Sequence, residues 1–355
     1  VMKVEKVKEE NGELELSITA SPEEVDKAFT DGLDVFIDQF QLRSLEGETA
    51  LQKIYNAMSP EEARDAVSSA VISYLIPFAL DQENIIPMTS SSVDAESDPV
   101  EGKEFTFNVT ILPKPEFELT SYDPVEVSVL APLDVTEQDI DMQMHMLASQ
   151  FATVKVDPET GEEETIIPEV TDEWVETNLK GMGVTTVEEL RKQFRATSEK
   201  VKEEQLDSAK ANAVMAEWAK RFDGEVSPKM VDAMTTDMLE GFKMELAQQG
   251  KTLMDFMLEQ KTDEKQIRAS LAAQAEAQLI NGFVFDAIFR HEGLELEVDD
   301  LKHALTAMAP GQEEEVFDQL QNAGRAFLLK EGASRMKAAN WAMDSAKITV
   351  EEREA

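Results

Sequence analysis

The sequence has no cysteine among its 355 residues. Disulfide bonds, thiolate metal sites and cysteine nucleophiles are therefore excluded. Histidine is nearly as scarce, since the chain has only His145, His291 and His303. No two of them stand one helical turn apart, which is the spacing that paired metal ligands on a helix need. We therefore expect no metal and no cofactor.

Positive charge and long apolar runs are also in short supply. The chain has 33 Lys and Arg against 73 Asp and Glu, which gives a net charge of −40. Such a field repels the phosphates of nucleic acids and the anionic surface of membranes, so we expect neither DNA nor a membrane as partner. A run of about 18 apolar residues, which a membrane span needs, does not occur. The simplest effect of the acidity is solubility.

Sequence motifs of catalysis are missing as well. The chain contains no Gly-x-x-x-x-Gly-Lys-Ser/Thr loop, no Gly-x-Gly-x-x-Gly and no Gly-x-Ser-x-Gly elbow. Carboxylate pairs such as Glu61-Glu62 are frequent, but in so acidic a chain they are expected by chance. We therefore predict no catalytic site.

The first third of the chain mixes strand and helix patterns, which predicts an α+β domain. Apolar and polar residues alternate over 14–18 and 105–111, as in half-buried strands. A serine followed by proline and two glutamates begins a helix at Pro22, predicted to run to Phe40, and another at Pro60. Alternation at Val125, Val127 and Val129 predicts an extended linker that could add to a sheet edge.

The remainder is predicted to be mainly helical, with one short exception. Turn residues between 155 and 168 indicate a hairpin tip or a plain connection. Helices are then expected to begin at Thr186, Pro228 and Asp263, the last ending at Gly293. Two more are expected at about 298–309 and 312–346.

A stripe of methionine and phenylalanine stands out in the helical part. It consists of Met230, Met234, Met238 and Phe242, and it is followed beyond Gly250 by Met254, Phe256 and Met257. Spacing alone favours ordinary packing between helices. Methionine side chains also repack around varied partners, so the same residues are candidates for a promiscuous binding surface.

Several strings, taken in order, resemble one known family. They are Ile85-Ile86-Pro87, Gly102-Lys103-Glu104-Phe105-Thr106-Phe107, Pro115-Glu116-Phe117-Glu118-Leu119, Tyr122, Val125-Glu126-Val127, Val135-Thr136-Glu137-Gln138-Asp139-Ile140-Asp141, Pro168-Glu169-Val170-Thr171-Asp172-Glu173-Trp174 and Ala338 to Val350. The ordered set resembles bacterial trigger factor over nearly the whole chain.

The resemblance implies an elongated multidomain chaperone, in which an α+β N-terminal domain precedes a mainly α-helical C-terminal domain with helical arms. The implied bounds are 1–122 for the ribosome-binding-like domain, 123–170 for a linker, helix and short connection, and 171–355 for the helical chaperone domain. The implied function is an ATP-independent holdase, which binds unfolded or nascent polypeptides in a helical cradle. The Met and Phe residues named above would then contact these clients.

Two departures from the family pattern limit what the resemblance implies. The family's FK506-binding-type prolyl-isomerase domain needs on the order of 100 residues, whereas the segment 155–168 has 14. The ribosome-docking loop of the family reads Gly-Phe-Arg-x-Gly-x-x-Pro, and here only Phe40 is in register, with Arg43 as a substitute for the basic contact. The stretch between Asp31 and Pro60 has five acidic and two basic residues. Its net negative charge repels the phosphates of ribosomal RNA. We therefore expect no isomerase activity and weak ribosome binding.

Some alternatives stay open at this stage. A peptidyl-prolyl isomerase is the enzyme alternative, and a homodimer is compatible with the resemblance. The charged start of the chain is unlike the apolar core of a signal peptide, which favours the cytoplasm. Because Val1 precedes Met2, a removed signal segment stays open, and with it a secreted or periplasmic chaperone of the arm-and-crevice type.

Overall fold

The fold is described from a computed structural model, which describes residues 1–43, 45–89 and 92–353. Within these ranges the strands are β1 (Lys3–Glu10), β2 (Glu13–Ala20), β3 (Ser92–Asp94), β4 (Phe105–Ile111), β5 (Glu126–Leu130), β6 (Thr153–Val156), β7 (Glu163–Ile166) and β8 (Lys347–Glu351). The α-helices are α1 (Pro22–Lys27), α2 (Leu33–Phe40), α3 (Ala50–Ala57), α4 (Pro60–Gln82), α5 (Glu137–Ser149), α6 (Asp172–Asn178), α7 (Val187–Ala219), α8 (Pro228–Gln248), α9 (Leu253–Gln260), α10 (Glu264–His291), α11 (Val298–Met308), α12 (Glu313–Asn322) and α13 (Ala326–Ser345). The α+β character of the N-terminal part and the mainly helical C-terminal part are as predicted.

Two compact units organise the chain, and each combines two separate stretches. The first unit joins Val1–Tyr122 to Arg221–Trp341, and the second joins Asp123–Lys220 to the chain from Ala342 onward. The bounds 1–122, 123–170 and 171–355 follow chain order and stay a prediction. The two compact units do not follow these bounds, because the helices after Arg221 pack on the N-terminal stretch and belong to the same unit.

The first unit contains an antiparallel sheet in the order β1-β2-β4-β3. The register pairs Leu16 with Val109 and Ile18 with Phe107, so the alternating apolar residues of both strands share one face. This face and the buried side of α4, including Leu75, form one core. Each large apolar side chain contributes roughly 1.5–3 kcal/mol when it is fully buried. The two strands predicted from alternation are confirmed, whereas β1, β3 and α3 were not predicted.

The helix predicted from Pro22 to Phe40 is confirmed as a continuous helical stretch, but it is not α-helical throughout. A π-helical turn at Ala28–Gly32 separates α1 from α2. A Cβ atom on Gly32 would lie 2.8 Å from the Cβ of Tyr74, so glycine allows α4 to approach this turn closely. The hydroxyl of Tyr74 donates to Asp31 at 3.2 Å. Burial, and then the charge of Asp31, raises the pKa of Tyr74 to about 12.

The last predicted helix is also divided. The stretch 312–346 forms α12 and α13, which are separated at Gly324, where φ is +66°. A Cβ atom there would lie 2.9 Å from the ring of Phe78, so both the left-handed backbone and the close contact require glycine. The chain therefore turns where a helical pattern in sequence would continue.

In the described part of the chain, α4 is the helix that by length and composition could cross a membrane. This differs from the sequence-based expectation that no segment qualifies. Nearly half of its apolar window is buried against the rest of the first unit, and the core helix of a soluble protein meets the same criteria. We therefore interpret α4 as a core helix.

The second unit is built around α5, α6 and α7. Its core contains Ile140 and Met144 from α5, Val175 and Leu179 around α6, and Leu190 from α7. Strands β5 and β8 pair in parallel, so the extended linker at Val125–Val129 does form a sheet, as its alternation suggested. Strands β6 and β7 form an antiparallel hairpin, which resolves the segment 155–168 as a hairpin tip.

An ion network around the buried Asp286 joins three segments of the first unit. The carboxylate of Asp286 on α10 accepts hydrogen bonds from Nε and Nη2 of Arg335 on α13, both at 2.9 Å, and lies 3.2 Å from the ammonium of Lys114. Glu331 lies 2.9 Å from Lys114 and 3.2 Å from Arg335. Burial opposes the charge of Arg335, but Asp286 and then Glu331 outweigh this effect and raise its pKa. Gly282 makes room for this guanidinium, since a Cβ atom there would lie 2.8 Å from its Cζ.

We expect Asp286→Ala to lower the free energy of unfolding of the first unit by roughly 3 kcal/mol. The substitution leaves two partly buried cations to share Glu331, and breaking a fully buried pair from one side costs roughly 3–5 kcal/mol, so the lower end of that range applies. Asp232→Ala is the matched control, since Asp232 forms an exposed ion pair with Arg268 at 3.4 Å and should cost no more than about 0.5 kcal/mol. Urea unfolding followed by circular dichroism measures both. Equal unfolding midpoints for the two variants would contradict the role given to Asp286.

Candidate functional site

The Met and Phe stripe lies on α8, which packs along α10 in the first unit. Helix α8 begins directly after Ser227, with Pro228 in its first turn, as predicted. Its buried face carries Thr235, Leu239 and Leu246. Because four residues turn a helix by about 400°, a repeat of four drifts by about 40° per step. The stripe therefore winds from the buried face toward the solvent.

Met230 is a core residue and does not belong to an exposed surface. Only 4% of it is exposed, and it lies in a buried cluster with Leu279 and Phe283 of α10. Met234 packs against the same cluster and is half-buried. For this part of the stripe, helix packing is the correct interpretation. Met238 and Phe242, farther along α8, are half-buried as well.

Helices α8, α9 and α10 form a helical hairpin. Apolar side chains reach solvent at its far end, around α9. Met244 is 66% exposed, Met254 60% and Leu258 71%. The ring of Phe242 meets that of Phe256 edge-on, with centroids 4.9 Å apart. We call the following set the distal surface: Met238, Phe242, Met244, Met254, Phe256, Met257 and Leu258. Met244 lies outside the repeat of four residues, and Leu258 was missed in the sequence, although it stands one helical turn after Met254.

Local interactions fix α9 at this end of the hairpin. Thr252 caps α9, since the backbone N–H of Asp255 donates to its hydroxyl at 3.2 Å and the backbone N–H of Thr252 donates to the Asp255 carboxylate at 2.8 Å. The latter bond lowers the pKa of Asp255. Lys251 and Glu259 pair at 2.8 Å across the helix. The exposed apolar groups thus stand on a helix whose start is well defined.

Chemically, the distal surface can bind but offers no reactive group. Its members are thioethers, aromatic rings and an aliphatic chain, which adapt to apolar partners of varied shape. Exposed carboxylates surround it, among them Asp237, Glu240 and Glu245. Among the residues that the structure describes, no group of three or more His, Asp and Glu side chains is arranged to hold a metal ion. His291 instead stacks on Tyr122, with ring centroids 3.7 Å apart.

The second candidate region follows α2. Phe40 ends this helix and is 57% exposed, and its ring lies 4.6 Å from that of Phe36. Gln41 adopts a left-handed conformation, after which Arg43 and Leu45 are exposed. Ser44, which the family loop also spans, lies outside the described residues. Phe40 and Arg43 are therefore both accessible to a partner.

The chain combines an α+β part with helices that expose apolar side chains near α9. Two family models match the chain. One described as "Bacterial trigger factor protein (TF)" covers residues 2–147, and one described as "Bacterial trigger factor protein (TF) C-terminus" covers residues 186–344. The chain belongs to the trigger factor family.

Similar proteins span nearly the whole chain. The trigger factor of Natranaerobius thermophilus is 20% identical over 427 residues, with 97% of this chain and 95% of the relative covered. The trigger factor of Staphylococcus saprophyticus is 22% identical over 426 residues, with 96% of each covered. A solved structure described as "Promiscuous Substrate Recognition in Folding and Assembly Activities of the Trigger Factor Chaperone" covers 97% of this chain and 99% of its own, at 12% identity and a TM-score of 0.40.

The lengths of these alignments bear on the expected loss of a domain. Both alignments exceed the 355 residues of this chain, so these relatives contain segments that it lacks. Neither family model covers residues 148–185. That stretch holds the end of α5, the hairpin β6–β7, α6 and a short 3-10 turn. A hairpin thus stands where the resemblance places the isomerase domain.

Proposed function

We propose that the protein is an ATP-independent holdase, which binds unfolded or nascent polypeptides through the distal surface. The observation that carries this proposal is the exposure of Met244, Met254 and Leu258 at one end of the hairpin formed by α8, α9 and α10. Met254 and Leu258 share one face of α9, and neighbouring large apolar side chains that are exposed mark an interaction site. Membership of a chaperone family supports unfolded chains as the partner. The cytoplasm is the proposed compartment.

The same geometry suggests how clients are released. No nucleotide-binding loop occurs in the sequence, so release has to follow from weak individual contacts. Methionine supports weak and exchangeable binding, because its unbranched chain repacks around different partners. The high negative charge keeps two such surfaces on different molecules apart. We therefore propose that the monomer is a working form, with a homodimer as an alternative assembly.

We expect Met254→Glu combined with Leu258→Glu to abolish most suppression of client aggregation while leaving the melting temperature nearly unchanged. Both side chains are exposed, and exposed substitutions cost within about 0.5 kcal/mol. Light scattering of a denatured client, with and without the chaperone, measures protection. The matched control is Val298→Glu with Met308→Glu, two exposed apolar positions on α11, which should keep full protection. Met230→Glu should instead unfold the helical hairpin of α8, α9 and α10, because the substitution buries a carboxylate without a partner.

The reverse pattern would contradict the proposal. If the Met254 and Leu258 variant protected the client as well as the unchanged protein does, the distal surface would not be the client site. If its melting temperature fell strongly, the distal surface would be packing rather than binding.

Prolyl-isomerase activity is expected to be absent. The reason is that a short hairpin at 153–166 stands in place of the isomerase domain, which needs on the order of 100 residues. Uncatalysed isomerisation takes tens of seconds or longer, so catalysis is easily seen. A refolding protein limited by proline isomerisation should refold at the same rate with and without substoichiometric chaperone. A clear acceleration would restore the enzyme alternative.

Ribosome binding is expected to be weak. Phe40 and Arg43 are exposed, but the stretch from Asp31 to Pro60 carries five acids and two bases, which ribosomal RNA repels. Co-sedimentation with ribosomes at low salt measures the association. Strong pelleting that Phe40→Ala and Arg43→Ala together abolish would show that the loop docks despite its charge.

A further inference from the structure

The hairpin β6–β7 in the second unit stands by itself. Every residue of both strands is exposed, and in the described part of the chain neither strand packs extensively on another helix or strand. Its turn is nevertheless well built. The Asp157 carboxylate accepts from the backbone N–H groups of Glu159 at 2.7 Å and Thr160 at 3.2 Å. Two-stranded hairpins are at best marginally stable in water, so a third strand would add considerably to this one.

The register shows which backbone groups are free to pair. The backbone N–H of Asp157 donates to the carbonyl of Glu162 at 2.9 Å. In an antiparallel ladder, hydrogen-bonded and non-hydrogen-bonded pairs alternate. The pairs Val154 with Thr165 and Val156 with Glu163 are therefore of the second kind. The N–H and C=O groups of these four residues point away from the opposite strand. Val154 and Val156 therefore place two donors and two acceptors along the outer edge of β6.

The two edges of the hairpin differ in chemistry. Val154 and Val156 lie on one face and are 60% and 53% exposed, so the edge of β6 offers apolar contact beside its free backbone groups. The outward residues of β7 are Glu163 and Thr165, which make that edge polar and acidic. Natural proteins usually protect an open edge with lysine, proline or a covering segment. On β6 only Lys155 serves this purpose.

The charge of the hairpin selects the partner. Between 153 and 166 five acids stand against one base, Lys155, for a net charge of −4. A second copy of this chain would bring the same negative charge to the edge and is disfavoured. A segment with alternating apolar and basic residues would match both the valines and the acids.

We infer that the outer edge of β6 binds an extended segment of an unfolded polypeptide as a third strand, with preference for alternating apolar and basic residues. Backbone hydrogen bonds would supply affinity for varied sequences, and the valines and acids would supply the preference. The hairpin lies within residues 148–185, which neither family model covers. The inference rests on the proposed holdase function and adds a second contact for the same clients.

A fluorescent, end-capped peptide of five Val-Lys repeats tests the inference by fluorescence anisotropy with the full chain. Val154→Pro removes one outward N–H and no hydrogen bond within the hairpin, since proline is tolerated at such edge positions. Thr165→Pro is the matched control, because it removes an outward N–H from the opposite edge. We expect Val154→Pro to bind the peptide about tenfold more weakly and Thr165→Pro to bind it as the unchanged chain does. A Val-Glu peptide, and a Val-Lys peptide N-methylated at its valines, should not bind.

Each outcome bears on one claim. Equal binding by Val154→Pro and the unchanged chain, or binding of the N-methylated peptide, would overturn strand addition at β6. So would a failure of the Val-Lys peptide to bind the unchanged chain. Suppression of client aggregation is measured on the same preparation with the Met254→Glu and Leu258→Glu variant. A chain that suppresses aggregation but ignores the peptide refutes only the edge site, whereas a chain that binds the peptide but protects no client refutes the holdase.

Discussion

Asp286 holds together the segments on which the first unit depends. It lies on α10, it binds Arg335 of α13 through two hydrogen bonds, and it faces Lys114, which follows the last strand of the sheet. A buried carboxylate is costly unless cations and hydrogen bonds compensate for its lost hydration. The compensation here comes from parts of the chain that are far apart in sequence. The network therefore fixes one arrangement of the N-terminal stretch relative to α10 and α13, and α10 in turn supports α8.

The position of α8 explains why one stripe is buried at its start and exposed near its end. Close to the network, Met230 fills a cluster with Leu279 and Phe283, and the stripe is ordinary core. Farther along, α8 has fewer neighbours, and residues of the same chemical type reach solvent on the distal surface. A helix that leaves its domain in this way must expose some apolar face, since its partners are limited to α9 and α10. Client binding is the use that we propose for this exposure.

Exposed apolar groups invite self-association, and the charge of the chain opposes it. With a net charge of −40, two copies repel one another before their apolar surfaces meet. At the loop after α2 the same negative charge would oppose the approach of ribosomal RNA, which is the reason for the weak ribosome binding that we propose. On the hairpin β6–β7, the negative charge beside the valines favours basic segments at the open edge of β6 and disfavours acidic ones. The acidity thus limits which partners can reach each exposed surface.

The sequence alone determined the family, the α+β and helical parts, and most helix starts, because strand alternation, capping residues and ordered family strings are local signals. It also indicated a turn at 155–168 through its turn residues, although it left a hairpin tip and a plain connection as alternatives. It could not divide the helix at Gly324 or insert the π-helical turn at Ala28–Gly32, since both follow from close contacts with Phe78 and Tyr74 of α4. Nor could it separate Met230 from Met254, because burial depends on where the neighbouring helices end. The ion network and the pairing of β5 with β8 join residues that are distant in sequence. The edge of β6 is open because, in the described part of the chain, only β7 pairs with this strand. Only the tertiary structure decided these three features.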